Sequence, residues 1–149
     1  MESQTTTNEA PPRPLECIQR LQRAISRRDL DAMTACFEPD YTSEFPVHPD
    51  RSVGGHTRMR QTWTQIFASV PDIQATLIRW CVAGDTAWAE WEWHGTRVDG
   101  APFVQRGVTI QGVPQDRITW ARMYMEPVQE AGPGAAVALQ RDLGGRAAR

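Results

Sequence analysis

Between residues 86 and 96 apolar and polar positions alternate. Ala87, Ala89, Trp91 and Trp93 fall on one face, and Trp88, Glu90, Glu92 and His94 on the other. Successive side chains leave a pleated backbone on opposite sides, so this period of two predicts a strand with one aromatic and one mostly charged face. The same period runs through the second half of the chain. Residues 73–83 read as a strand that ends at the tight-hairpin pair Gly84-Asp85. Asp99-Gly100 marks the next turn, 103–113 the next strand and Pro114-Gln115-Asp116 a third turn. The last strand spans 117–126 and stops at Pro127.

Upstream the period is helical. Leu15, Ile18, Leu21, Ala24 and Ile25 share a stripe that runs to about Arg28, and Pro14 suits the first turn of that helix. Asp29 is placed to cap a short second helix carrying Leu30, Met33 and Phe37, ended by Pro39-Asp40. Residues 41–47 read as a short strand, His48-Pro49-Asp50 as a turn and Gly54-Gly55 as a break. A third helix over 57–69 presents Met59, Trp63, Ile66, Phe67 and Val70, and Pro71 closes it. Helices followed by a long meander predict an α+β fold. Three helices cannot cover both faces of a curved sheet of this size. The expected result is a cone-shaped curved antiparallel sheet, with the three N-terminal helices on its concave face enclosing a cavity. Residues 1–13 are expected as a disordered tail, 14–128 as the domain, and 129–149 as a flexible tail in which 135–143 can form a short helix.

Length and charge narrow the field. A chain of 149 residues is one ordinary domain, large enough to bury a core without staples. The net charge is −2 and no Lys/Arg run stands out, so nucleic acid is not an expected partner. No apolar run reaches the ~18 residues of a membrane span, and the first residues lack the pattern of a secretory signal. A soluble, cytoplasmic protein with no membrane partner is expected. Cys17, Cys36 and Cys81 lack metal-like spacing and read as buried free thiols of a reducing compartment. The three histidines do not cluster with carboxylates at ligand spacing, so no metal is expected. Phosphate-loop and nucleophile-elbow motifs are absent from the sequence, and no cofactor is expected.

An ordered set of residues resembles a known family. Phe45-Pro46-Val47-His48-Pro49, Gly55, Trp63 with Phe67, and Val70-Pro71-Asp72 come first. Gly84-Asp85, Glu90-Trp91, Gly95-Thr96, Gly100, Arg117-Ile118 and Arg122-x-Tyr124-x-Glu126-Pro127 follow, so the set runs through most of residues 15–128. It is similar to the SnoaL-like branch of the nuclear transport factor 2-like superfamily. Members include polyketide cyclases, ketosteroid isomerases, limonene-epoxide hydrolases, polyether epoxide cyclases and non-catalytic binding domains. The resemblance implies the cone fold and a homodimer through the convex sheet face, with Trp88, Trp120 and Tyr124 as its aromatic anchors. It does not imply one chemistry, because the fold hosts many. Matched by position, the general-base Asp of the isomerases falls on Phe45, before Pro46. The Arg-x-Asp pair of the hydrolases falls on Trp91 and Trp93, and their last Asp on Met123. The His of the cyclase pattern falls on Arg97.

The same matching lines one cavity with Trp91, Trp93, Trp63, Phe67, Phe45 and Met123; the alternative is that these residues simply pack the core. Aromatic walls bury ~150–250 Å² per side chain and suit a large, flat or polyene-like apolar ligand. His48 is the leading proton donor or acceptor, with Glu44 nearby in sequence at the expected cavity mouth. Tyr41 is a candidate donor to a substrate carbonyl or developing oxyanion. An exposed loop histidine and a half-buried core tyrosine are the structural alternatives. Glu90, Glu92 and His94, with Arg122, Tyr124 and Glu126, form a second titratable set on the opposite face. Charge pairs through Arg106 are sufficient to explain it there; inverted faces would make it the leading catalytic group. The expected function is a small cofactor-independent enzyme of secondary metabolism. It would carry out a cyclisation, isomerisation or related lyase step on an apolar small molecule, with His48, Tyr41 and Glu44 as catalytic residues. The alternatives are a non-catalytic small-molecule binding module and an epoxide hydrolase with its carboxylate relocated to Glu44, Glu90 or Glu92.

Overall fold

The alternating segments pair into one curved sheet. In the computed structural model, which describes residues 10–129 and 131–144, β2 (Gln74–Ala83), β3 (Thr86–Thr96), β4 (Pro102–Gly112) and β5 (Ile118–Pro127) form an antiparallel meander. The helices α1 (Arg13–Arg27), α2 (Leu30–Ala35) and α3 (His56–Ser69) precede it, and α4 (Ala135–Asp142) follows. The fold is the α+β arrangement of helices on a curved, unclosed sheet. Most of the expected N-terminal tail, residues 1–9, lies outside the described residues, as do Glu130 and residues 145–149. None of the helices is long and apolar enough to cross a membrane.

Two details differ from expectation. The first strand, β1 (Phe37–Glu44), starts four residues before Tyr41, and α2 stops at Ala35 instead of running through Phe37. Pro39 does not end an element, because β1 is the outermost strand of the order β1-β5-β4-β3-β2, and an edge strand tolerates a missing N–H. The sheet is also mixed rather than purely antiparallel: β1 runs parallel to β5, with Glu44 opposite Arg122. A long connection through α3 and three strands separates the two, and such a connection can bring them together in the same direction.

Helix α1 lies across β2 because its apolar stripe and two of its polar side chains agree on the same docking. Cys17, Ile18, Leu21 and Ile25 are buried against the sheet. Gln22 Nε2 donates to the Ala75 carbonyl at 2.8 Å, and Ser26 Oγ accepts from the Ala75 N–H at 3.0 Å. Asp29 caps α2 as expected, accepting from Ala32 N at 3.0 Å. At the far end of β3 the Asp72 carboxylate accepts from the Thr96 N–H at 2.7 Å, and that hydrogen bond holds its pKa below the usual range. Cys17 and Cys36 are buried, but Cys81 is exposed. It sits on the outer face of β2, opposite Trp88, where no helix covers the sheet.

Gly107 faces Trp91 across the β3–β4 pair. A Cβ there would overlap the Tyr124 carbonyl oxygen on the next strand. Gly107→Ala must therefore displace β5 and is expected to cost about 2–3 kcal/mol in urea-induced unfolding. Gly134→Ala, with open space around it, should stay within about 0.5 kcal/mol of wild type. Equal stability of the two variants would contradict the close β4–β5 approach.

Candidate functional site

Alternation along β3 delivers the first wall. Ala87, Ala89, Trp91 and Trp93 are all buried on the concave face, while Trp88, Glu90, Glu92 and His94 face outward. Trp91 has 1% of its surface exposed. The indoles face open space that Ala87 and Ala89 do not line. That space is a cavity of about 100 Å³. Its aromatic wall is Trp63, Trp91, Trp93, Phe37, Tyr41 and Phe45. Leu21, Ile25, Met33 and Met59 close it from the helices, and Ala121 and Met123 from β5. The rings meet edge to face: Trp63 and Trp93 at 5.2 Å between centroids and 70°, Trp91 and Trp93 at 6.4 Å and 65°. Phe67 is not part of the lining. It stands behind Trp63 at 5.6 Å and supports it.

Few polar groups reach this space. Thr109 and Gln111 are each only 2% exposed, and both line the cavity with Ser43, Thr62 and Tyr41. The Trp91 indole N–H donates to Thr109 Oγ1 at 2.9 Å, and Thr109 Oγ1 donates in turn to Gln111 Oε1 at 3.2 Å. Neither residue is among the sequence-based candidates. The signal was available, since Thr109 and Gln111 occupy inward positions of β4, opposite Ala89 and Ala87. A polar pair on the inward face of a central strand is unexpected in a core and calls for a reason. Trp93 Nε1 is buried in the same wall without a hydrogen-bond partner.

The three candidate catalytic residues do not come together. Tyr41 faces the cavity from β1. Glu44 is exposed, on the opposite side of that strand from Tyr41 and Ser43. His48 shares a loop with Phe45 and Val53 of the lining but does not line the cavity itself; its Nε2 lies 2.6 Å from Glu126 Oε1. That pair ties the loop to the end of β5 on the outer face. Arg106 sits beside it in register and donates to Glu92 at 2.7 Å, with His94 3.6 Å from the same carboxylate. The second titratable set is thus a charge ladder on the convex face. Trp88, Trp120 and Tyr124 alternate onto that same face. Among the described residues no group of three His, Cys, Asp or Glu could hold a metal ion.

The SnoaL-like domain family matches residues 18–121. The chain belongs to the SnoaL-like family. No protein of curated function matches it. Solved structures of the same fold include a SnoaL-like protein of Jannaschia sp. CCS1 assigned to the polyketide cyclases. It is 17% identical with a TM-score of 0.66, and the match covers 80% of this chain and 90% of that one. An LEH-like epoxide hydrolase of M. tuberculosis is 16% identical with a TM-score of 0.66, over 76% of this chain and 83% of its own. A hypothetical protein of Catenulispora acidiphila DSM 44928 with a ketosteroid isomerase-like fold, solved with trimethylamine, is 18% identical with a TM-score of 0.64, over 73% and 84%. These likenesses concern the fold.

Within this SnoaL-like chain, the cavity positions matched to the acid and base residues of other members are apolar. Phe45, Trp91, Trp93 and Met123 all lie in the lining. The titratable lining residue that stands out is Tyr41, whose burial pushes its hydroxyl up to about 12. The thiols lie elsewhere. Cys17 Sγ donates to the Cys36 carbonyl at 3.6 Å and Cys36 Sγ to the Ala32 carbonyl at 3.4 Å. The closeness of the two thiols raises Cys17 and lowers Cys36, and the charges of Arg20 and Arg23 add to the lowering. Neither thiol lines the cavity.

Tyr41 makes a measurable pH signature. Its folded pKa of about 12 lies above the ordinary value of 10, so the native state holds the proton more tightly. The stability it contributes is whole below about pH 10 and is lost as the pH climbs through about 12. An ultraviolet titration of the folded protein should show a tyrosinate step near 12 that Tyr41→Phe removes. A wild-type titration with no step above the ordinary range would contradict the burial of this hydroxyl.

Proposed function

We propose that this SnoaL-like protein encloses a small, mostly apolar molecule in the aromatic cavity and catalyses its isomerisation or cyclisation with its own side chains. The observation that carries the reading is Tyr41. A phenol is neutral at ordinary pH, and Tyr41, set within a wall of aromatic rings, is placed to donate a hydrogen bond to negative charge that develops on a substrate oxygen. The space favours a compact guest. A cavity of ~150 Å³ takes benzene, and about 100 Å³ here suits a single ring or a short chain. Orientation within so tight a wall can supply several kcal/mol of the barrier. His48 and Glu44 would act only from the rim, since neither lines the cavity. Water at the mouth therefore takes the proton from the α-carbon and returns one to the γ-carbon, while Tyr41 holds the dienolate oxygen between the two transfers. The epoxide-hydrolase reading finds no support, because Glu44, Glu90 and Glu92 all lie outside the lining.

A second reading has its own observation. Among the described residues the lining contains no carboxylate, imidazole or thiol, which favours a binding module without turnover. One small ketone separates the two. Cyclohex-3-enone should quench the tryptophan fluorescence, and its conversion to the conjugated enone should be accelerated. Tyr41→Phe should lower kcat about 10²-fold with KM little changed. Trp63→Ala should raise KM, since its indole is wall and not chemistry. Binding without acceleration would establish the second reading, and no binding would sink both.

A further inference from the structure

The cavity is apolar almost throughout, yet its inward β4 face carries one carboxamide. Gln111 is 2% exposed and has Ala87 on one neighbouring strand and Ala121 on the other. It is part of the cavity lining, as is Ala121 beside it. A buried carboxamide in an apolar wall is costly unless its groups are paired. Half of it is paired: Oε1 accepts from Thr109 Oγ1 at 3.2 Å. Behind it, Thr109 Oγ1 accepts from the Trp91 indole N–H at 2.9 Å and gives its own hydrogen to Gln111 Oε1. The relay Trp91–Thr109–Gln111 thus commits Oε1 to the protein. Among the described residues Gln111 Nε2 makes no hydrogen bond, and the residue lines the cavity.

We infer that Gln111 is the specificity-determining residue of this cavity. Its Nε2 selects guests that carry an acceptor oxygen, a ketone or another carbonyl, over hydrocarbons of the same shape, and Thr109 is the positioning residue that aims it. The inference rests on the reading of the cavity as a ligand site and names the ligand class that the site takes. A ketone seated against Gln111 replaces the solvent that the amide loses. A hydrocarbon strips the same solvent and returns nothing, and sites built around a buried polar group reject guests that leave it unpaired.

Cyclohexanone and methylenecyclohexane test this directly, because one carries C=O where the other carries C=CH₂ on the same ring. Affinities are read by tryptophan fluorescence and by calorimetry. Wild type should bind the ketone at least tenfold more tightly than the alkene. Gln111→Leu should abolish the preference mainly by gaining affinity for the alkene. Thr109→Val, which breaks the relay without changing volume much, should reduce the preference, and Thr109→Ser should restore it. A packing role alone would shift both affinities together and leave their ratio unchanged. The wild-type ratio needs no variant to fold. Equal binding of the two probes by wild type, or an undiminished preference in Gln111→Leu, overturns the role of Gln111 while the cavity reading stands. Failure of both probes to bind overturns the cavity reading and this inference with it.

Discussion

The parity of one strand decides what this molecule has inside. Side chains of β3 alternate strictly, so a slip of one residue in its pairing would send Trp91 and Trp93 to solvent and bring Glu90 and Glu92 under the helices. Three features hold the parity. The Gly84-Asp85 turn sets the β2–β3 hairpin with Ala83 opposite Thr86. The unbroken β3–β4 ladder runs from Thr86 opposite Gly112 to Thr96 opposite Pro102. At its centre, opposite Trp91, the bare backbone of Gly107 lets β4 and β5 approach closely. Buried apolar area supplies the force: an indole in the wrong place exposes a surface that is worth roughly 25 cal/mol for each Å².

With the parity fixed, the two faces divide the labour. The outer face carries the ladder of Glu92, Arg106, Glu126 and His48, solvated and paired. Its contribution to stability is small, since exposed pairs of this kind contribute ~0–1 kcal/mol. What it does instead is tether the loop that supplies Phe45 and Val53 to the cavity. The inner face carries a wall of aromatic rings and a short relay of hydrogen bonds, with no charged side chain among the described lining residues.

The strong periodicities were legible in the sequence. The four meander strands, the amphipathic stripe of α1, the Asp29 cap and the inward indoles follow from residue types and spacing alone. The start of β1 was not, because Pro39-Asp40 looks like a terminator until the strand is known to lie at the sheet edge. The parallel β1–β5 pairing was hidden for a related reason, since nothing local encodes which distant strand β1 meets. At the site, the wall residues Trp63, Trp91, Trp93, Phe45 and Met123 could be named from parity and resemblance. His48 could not be placed, because its position depends on Glu126, seventy-eight residues away. Thr109 and Gln111 were readable in principle from their alternation with the register of β3, but only once that register was drawn.

Fluorine NMR of protein labelled with fluorotryptophan measures the central claim most directly, with each resonance assigned by single Trp→Phe variants. On titration with cyclohexanone, the resonances of Trp63, Trp91 and Trp93 should move together and saturate, while that of Trp88 on the convex face stays in place. Inner resonances that stay in place, or a shift confined to Trp88, would contradict the account.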